Sequence, residues 1–383
     1  MTEIIFDYQI VDAALQEQIR VEVLRLCPGC TTVEFGQRVK IVAEAVVDRQ
    51  RIEEAIGRLR YIHKSVEKDL LYQSSHAPLW DQDPLPHLER TRQVIRISEG
   101  QYLVQGELMA LMDVLDALVV QLASQWGAIA QAYPSFVPVD LLKRINYFKD
   151  FPHHIMVVAP LQGQQEVLDR FASLHNFSKN RFETLATDGM LQNVGLIAAP
   201  SVCYPCYYSF SHQELPGNRI FTAKNRCSRH EPSGFRSLAR LQNFTMREIM
   251  VLGDHDFVLH WRQRMLDAMK ALMEELNLAG KIESANDLFF TNDAAYKAVF
   301  QHSFKLKYEC QAYLPFNKEH LAIASVNLHN DTYGKAFGVT LAGGVAMQSA
   351  CIGYGLERWA YAVLSQFGCD RKQWPDSLRR RLA

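Results

Sequence analysis

The stretch Cys227-Ser-Arg-His-Glu-Pro-Ser-Gly-Phe-Arg-Ser-Leu-Ala-Arg-Leu-Gln-Asn-Phe-Thr-Met-Arg-Glu-Ile-Met-Val-Leu-Gly253 decides how the rest of the chain is read. Two strand-like runs flank a loop rich in Pro, Ser and Gly. Strand side chains alternate, so Arg229 and Glu231 share one face of the first run. Arg240, Gln242, Phe244, Met246 and Glu248 share a face of the second. A surface carrying arginines, an aromatic ring and two carboxylates makes a poor core but a good nucleotide platform. Arginine grips phosphate with a bidentate fork, and phenylalanine offers a base a surface to stack on. A solvated, salt-bridged hairpin face has the same pattern, and spacing alone leaves both readings open.

A second stretch, Ala342-Gly-Gly-Val-Ala-Met-Gln-Ser-Ala-Cys-Ile-Gly-Tyr-Gly-Leu-Glu-Arg-Trp-Ala-Tyr-Ala-Val-Leu364, reads as a strand ending at Gly353-Tyr-Gly355 and a helix beginning there. Arg358 then lies in the first helical turn, where free backbone N–H groups already favour an anion. A dinucleotide fingerprint is excluded. Arg358 stands where its third glycine belongs, and too little chain follows for the rest of such a domain.

Outward from these stretches, 383 residues suit two domains. With 48% hydrophobic and 22% charged residues the chain can bury a sizeable core. Lys plus Arg is 41 against 42 for Asp plus Glu, a net charge of −1, which argues against a dedicated nucleic-acid binder. The longest apolar stretch, around Leu108 to Trp126, is flanked by Glu107 and broken by Asp113 and Asp116, so it is no membrane span. The first residues lack the basic flank and apolar run of a signal peptide. A soluble cytoplasmic protein is expected. Eight scattered cysteines fit a reducing compartment rather than a disulfide scaffold. Two C-x-x-C pairs, Cys27/Cys30 and Cys203/Cys206, lie too far apart for a zinc ribbon. The first reads best as two residues at the turn after a helix.

Periodicity divides the chain near residue 88. Residues 1–88 form a small α+β unit: a strand over Glu3–Ile10, a helix capped by Asp12 and running to about Leu26, alternation over Thr31–Val47, and an amphipathic helix over Asp48–Leu71. The stretch Gln73–Pro86, with three prolines and no period, reads as a linker. In 89–383 the pattern predicts a hairpin at 93–104, helices at 107–132, 164–174 and 254–278, and a final helix from Leu356. Strands are expected at 194–208, 219–227, 305–314, 322–328 and 336–351. Runs of strands with few βαβ alternations point to an antiparallel sheet in an α+β fold.

Taken together, the two stretches resemble motifs 2 and 3 of class II aminoacyl-tRNA synthetases: Arg229-x-Glu231, a loop, Arg240-x-x-x-Phe244, then Gly353-x-Gly-x-Glu-Arg358. Within that class the chain is similar to the seryl-tRNA-synthetase-like amino acid:[carrier protein] ligases. Tyr147-Phe-Lys-Asp-Phe-Pro152, Ala199-Pro-Ser-Val-Cys-Tyr-Pro205, Arg229-His-Glu-Pro-Ser233 and Ala324-Ser-Val-Asn-Leu-His-Asn-Asp-Thr-Tyr-Gly334 carry that similarity. It covers about residues 100–370 and leaves out the first 88.

The resemblance implies a class II antiparallel sheet flanked by helices. It also implies ATP-dependent activation of a small amino acid as an aminoacyl-adenylate, followed by transfer to the phosphopantetheine thiol of a carrier protein. It places a catalytic Zn2+ on Cys203, Glu248 and Cys351, with the open metal position taking the substrate's amino group and Cys206 close enough to compete. Arg229 would touch the α-phosphate, Glu231 the adenine side, Phe244 the base, Arg240 the triphosphate and Arg358 the terminal phosphates. Ser325, Asn327, His329 and Asp331 would line the amino-acid pocket, although a structural histidine fits His329 equally. Mg2+ is implied by the ATP chemistry; the acidic residue expected before Ser-x-Asn is replaced by Ala322, leaving Asp331 and Glu309 as the nearest carboxylates. Pro134 stands at the motif 1 proline, which implies a homodimer. Ser228 stands where such ligases tend to have an aromatic residue, and Thr332-Tyr333 replaces a His-Phe pair. Both are pocket-wall changes that bear on which amino acid is taken. The alternatives are a seryl-type aminoacyl-tRNA ligase, which the missing paired-helix arm and near-neutral charge disfavour, and an inactive paralogue used as a binding protein.

Overall fold

The computed structural model describes residues 2–11, 13–27, 29–44, 47–65, 68–173, 189–230, 237–287, 301–302 and 304–382. Near the N-terminus, β1 (Thr2–Phe6), β2 (Cys30–Phe35) and β3 (Val39–Ala43) pair in the order β1-β3-β2, with helices Ala13–Leu26 and Arg49–Ser65 against them. The alternation over 31–47 is therefore a hairpin rather than one strand, turning where Gly36 donates its N–H to the Arg38 carbonyl. Ile4, Phe6, Ile19, Val39, Ile41, Ile52 and Ile56 fill a core of its own. Cys30 donates its N–H to the Cys27 carbonyl at 2.9 Å, a turn just beyond the helix end.

The remaining strands are β4 (Leu70–Gln73), β5 (Val94–Ser98), β6 (Gln101–Val104), β7 (Ile129–Ala130), β8 (Phe136–Pro138), β9 (Val157–Val158), β10 (Leu196–Ala198), β11 (Arg219–Ser228), β12 (Asn243–Gly253), β13 (Gly280–Ser284), β14 (Lys307–Leu314), β15 (Glu319–Asn330) and β16 (Gln348–Gly355). Among the described residues, eight of them form the main sheet in the order β4-β13-β14-β15-β16-β12-β11-β7. Neighbours are antiparallel except β7 and β11. The chain thus has the expected α+β architecture, an antiparallel sheet flanked by helices.

Both faces of the sheet are covered, and β12 and β16 run apolar where the two cores meet them, with burial unbroken over Glu248–Gly253 and Ser349–Tyr354. Ile249, Val251, Ala350 and Ile352 face a large core shared with helices Gly106–Gln125, His255–Glu275 and Leu356–Phe367. Met250, Leu252 and Cys351 face a second core with helices Val139–Arg144, Tyr204–Tyr208 and Thr332–Phe337. One polar anchor crosses the first layer. Asp116, buried on helix Gly106–Gln125, accepts from Arg247 Nε and Nη2 at 2.7 and 3.0 Å and pairs with Lys224 at 2.8 Å. No described helix is long and apolar enough to cross a membrane.

Several expectations need correction. The segment 194–208 is a strand only at β10 and then turns into helix Tyr204–Tyr208, with Pro205 in its first turn, a position where its fixed φ and missing N–H suit a helix start. Segment 336–351 is not one strand. Helix Thr332–Phe337 ends at Gly338 in the left-handed region, and β16 begins only at Gln348. Helix 107–132 stops at Gln125, with Gly127 at positive φ just beyond. The proline-rich stretch expected to be a linker ending near 88 is packed on the main body. β4 extends the large sheet beside β13, the Leu79 and Trp80 N–H groups bond to the Gln366 carbonyl, and Leu85 and Leu88 enter the large core. The change from one core to the other thus falls before Leu70.

Candidate active site and metal centre

Register builds the site. Glu309 on β14, Ser325 on β15, Gly353 on β16 and Glu248 on β12 lie side by side across the sheet. Lys307, Asn327, Cys351 and Met250 form the next row. Gly353 is the floor: a Cβ there would stand 3.2 Å from Met246 Cε and 3.4 Å from Glu248 Cγ, pushing on the side chain that must lie over it.

Above that floor Cys203, Glu248 and Cys351 converge, with one ligand atom of each within 4.8 Å of the others and all three residues buried. Among the described residues this is the one group of metal-ligating type. Cys203 comes from the start of helix Tyr204–Tyr208; Cys206 is turned into the core and is not part of the trio. Glu248 Oε1 accepts from Ser201 Oγ at 3.0 Å and from the Val202 N–H at 3.2 Å. Its Oε2 is buried with no hydrogen-bond partner, a costly state for a carboxylate unless a cation or proton completes it. Burial pushes the Cys203 thiol far up and raises Glu248. For Cys351 the contact with Cys203 works downward, but burial and Glu248 outweigh it and the thiol is raised. Ser201 Oγ lies 3.6 Å from Cys203 Sγ, and Asn327 Nδ2 donates to Cys351 Sγ at 3.8 Å, so the sulfurs have polar neighbours of their own. Two sulfurs and one oxygen suit zinc, and three protein ligands leave a position open. The orphaned oxygen and the donor set therefore fit that metal.

His329 extends the cluster. Its Nε2 is 3.7 Å from Cys351 Sγ and its Nδ1 3.2 Å from Ser349 Oγ, and burial lowers its pKa to about 3, so the ring is neutral. Asn327 Nδ2 also donates to Ser325 Oγ at 3.2 Å. Asp331 stands apart from these three, at the start of helix Thr332–Phe337, paired with Lys335 at 2.7 Å.

Arg229 Nε donates to the Pro200 carbonyl at 2.9 Å, and its guanidinium carbon lies 5.3 Å from the centre of the Phe244 ring. Phe244 pairs with Cys227 across the β11–β12 hairpin. Arg358, in the first turn of helix Leu356–Phe367, donates from Nε to the Ala239 carbonyl at 2.7 Å and from Nη1 to the Ala322 carbonyl at 3.2 Å. It therefore ties the residue beside Arg240 to β15. Glu231 lies outside the described residues.

Three residues here escaped the sequence reading in whole or part. Glu357 is buried, and its carboxylate accepts from the Thr245 N–H at 2.8 Å and from Thr245 Oγ1 at 2.8 Å, fixing the Arg358 turn against β12. Lys307 bonds Asp287 at 2.6 Å and Glu309 at 3.0 Å beside Asn327 and Ser325. Burial would raise Asp287, but Lys307 outweighs it and holds the carboxyl below its usual range. Only the β14–β15 register brings Lys307 beside Asn327 and Glu309 beside Ser325, and no local motif carries that information.

No protein-family model matches the chain. It is similar to amino acid–[acyl-carrier-protein] ligase 2 of Bradyrhizobium diazoefficiens, 30% identical over 301 residues covering 78% of this chain and 87% of that protein. Ligase 1 of the same organism is 29% identical over 78% of this chain and 89% of its own length. The type-2 serine–tRNA ligase of Methanococcus maripaludis is 24% identical over 93% of this chain and 74% of its own. Among solved structures, M. kandleri SerRS in complex with A. aeolicus tRNASec superimposes with a TM-score of 0.73 at 19% identity, covering 99% of this chain and 77% of that one. The seryl-tRNA synthetase of Pyrococcus horikoshii complexed with ATP gives 0.61 at 12% identity, covering 87% and 78%. The first of these folds takes in the N-terminal unit, which the motif resemblance left out.

Proposed function

The chain belongs to the amino acid–[acyl-carrier-protein] ligase family, and from that premise we propose that it activates a small amino acid with ATP and passes it to the phosphopantetheine thiol of a carrier protein. The observation that carries this reading is the buried Cys203–Glu248–Cys351 trio, with its orphaned Glu248 oxygen, set on the same sheet face as Arg229 and Phe244. Cys203, Glu248 and Cys351 would hold Zn2+. When bound, zinc supplies a Lewis-acid position for the neutral amino group of the substrate.

Arg229 is already oriented by the Pro200 carbonyl and the Phe244 ring, so little reorganisation is needed when charge builds up on the α-phosphate. The substrate's carboxylate oxygen attacks that phosphorus, pyrophosphate leaves, and an aminoacyl-adenylate remains. The thiolate of the carrier's arm then attacks the acyl carbon and AMP departs. Phe244 offers the adenine a face, Glu231 its polar edge, and Arg240 with Arg358 the triphosphate, which enters with Mg2+. Ser325, Asn327 and His329 border the amino acid, and Asp331 lies at the pocket's outer edge.

The protein acts as a homodimer in the cytoplasm. The exposed apolar side chains Ile129 and Phe136, on either side of Pro134, support the dimer, and free cysteines throughout the described residues support the compartment.

The test is to incubate the zinc-loaded protein with ATP, Mg2+, a small amino acid and a phosphopantetheinylated carrier protein. The carrier should gain the mass of one aminoacyl group, and the apo-carrier none. The type-2 serine–tRNA ligase likeness over 93% of the chain gives a second reading a footing. Serine attached to tRNA with no carrier product would establish that reading instead.

A further inference from the structure

The Thr332-Tyr333 pair, a departure in the pocket wall, has a defined place in the fold. Tyr333 sits on the short helix Thr332–Phe337, which is held against the sheet with no slack. Gly334 has no room for a Cβ beside the Met347 carbonyl, and the Val339 N–H bonds to the Gly334 carbonyl at 2.8 Å. The ring stacks on Tyr207 at 4.6 Å and 19°, lies 4.6 Å from His329, and meets the edge of Tyr204 at 5.9 Å. Tyr207 and Phe337 are fully buried behind it, whereas Tyr333 and Tyr204 keep some exposure.

The aromatic set therefore borders the metal-ligating trio: His329, against the Tyr333 ring, has its Nε2 3.7 Å from Cys351 Sγ, and Tyr204 follows Cys203 in the chain. An amino acid with its amine at the trio and its carboxyl turned to Arg229 has one substituent left on the α-carbon, and it faces this wall. A ring packed on three sides cannot turn aside for a larger group, because close-packed interiors do not yield without cost. We propose that Tyr333 is the size-determining residue of the amino-acid pocket, its ring ending the space open to the substrate's side chain. The inference rests on the adenylation reading above and deepens it.

The experiment compares ATP–pyrophosphate exchange by the full-length zinc-loaded protein and its Tyr333→Ala, Tyr333→Val and Tyr333→Phe variants, with glycine, alanine, serine, valine, leucine and methionine. The wild type should prefer the smallest. In Tyr333→Ala, kcat/KM for leucine or methionine should rise by about 10-fold or more relative to alanine, the scale on which methylenes in a pocket discriminate. Tyr333→Phe, which keeps the ring, should retain the wild-type order of substrates. Calorimetric binding of the sulfamoyl-adenosine analogues of alanine and leucine gives a second readout independent of turnover. There the wild-type preference for the alanyl analogue should shrink in the same proportion. If Tyr333→Ala does not fold, Tyr333→Val reports the same shift at smaller amplitude. An unchanged order of substrates in a folded variant, with an active wild type, overturns this inference alone. A wild type that exchanges with no amino acid overturns the adenylation reading and this inference with it.

Discussion

Glu248 has one carboxylate oxygen satisfied by Ser201 and Val202 and a second, Oε2, buried beside the Cys203 and Cys351 thiols without a conventional hydrogen bond. A buried residue left in that state is a ligand or a liability, and the two cysteines beside it favour the first. Cys351→Ala should therefore abolish stoichiometric zinc and amino-acid-dependent exchange together, measured by metal analysis of the purified protein. Retained stoichiometric zinc would remove Cys351 from the site. Ser201 touches both Glu248 and Cys203; Ser201→Ala should weaken zinc affinity by about 10–100-fold, the usual cost of removing a group that orients a ligand, as read by chelator competition. Arg229→Ala should slow exchange by about 10²–10³-fold if it stabilises developing charge. Arg229, Phe244, Arg358 and the trio were named through the resemblance to class II synthetase motifs, and the structure brings Cys203, Glu248 and Cys351 together and sets Arg229 over the Phe244 ring. Asp287, Lys307 and Glu357 were not, because their roles depend on cross-strand register and on which helix packs against which strand.

At the level of elements, the Asp116–Arg247–Lys224 anchor joins helix Gly106–Gln125 to β11 and β12. Burial works against the ionised Asp116, but Arg247 and Lys224 outweigh it, so its folded pKa lies below the ordinary value. A depressed carboxyl contributes stability that is present above its unfolded pKa, near ~3.9, and is lost as pH falls through the folded value. Asp116→Asn leaves Arg247 buried without its counter-charge and should cost about 3–5 kcal/mol near neutrality. The gap between wild type and variant in urea midpoints should then narrow on acidification. A gap independent of pH would mean that packing, not charge, holds the helix. β11, β12 and the helix at His255–Glu275 follow from plain periodicity, and Asp254 caps that helix with a 2.8 Å bond to the Phe257 N–H. Segments 194–208 and 336–351 misled because short helices inserted between strands have too few turns to show a period of their own.

For the whole molecule, the N-terminal unit has a separate core, and the proline-rich stretch belongs to the main body through β4, Trp80, Leu85 and Leu88. Composition alone cannot reveal this, since an irregular segment reads as a linker whether or not it is packed. A chain beginning at Lys68 should remain folded and retain exchange activity. One beginning at residue 89 should aggregate or unfold at lower temperature, because it uncovers β13 and part of the large core. Equal thermal stability of the two would place the boundary at 88. The proposed activity begins with adenylation, and the direct measurement is amino-acid-dependent ATP–pyrophosphate exchange by the full-length protein with zinc and magnesium present. Exchange stimulated by one or two small amino acids, and lost in Cys351→Ala, is the expected result. A folded, zinc-loaded protein that exchanges with none of the common amino acids would contradict the account.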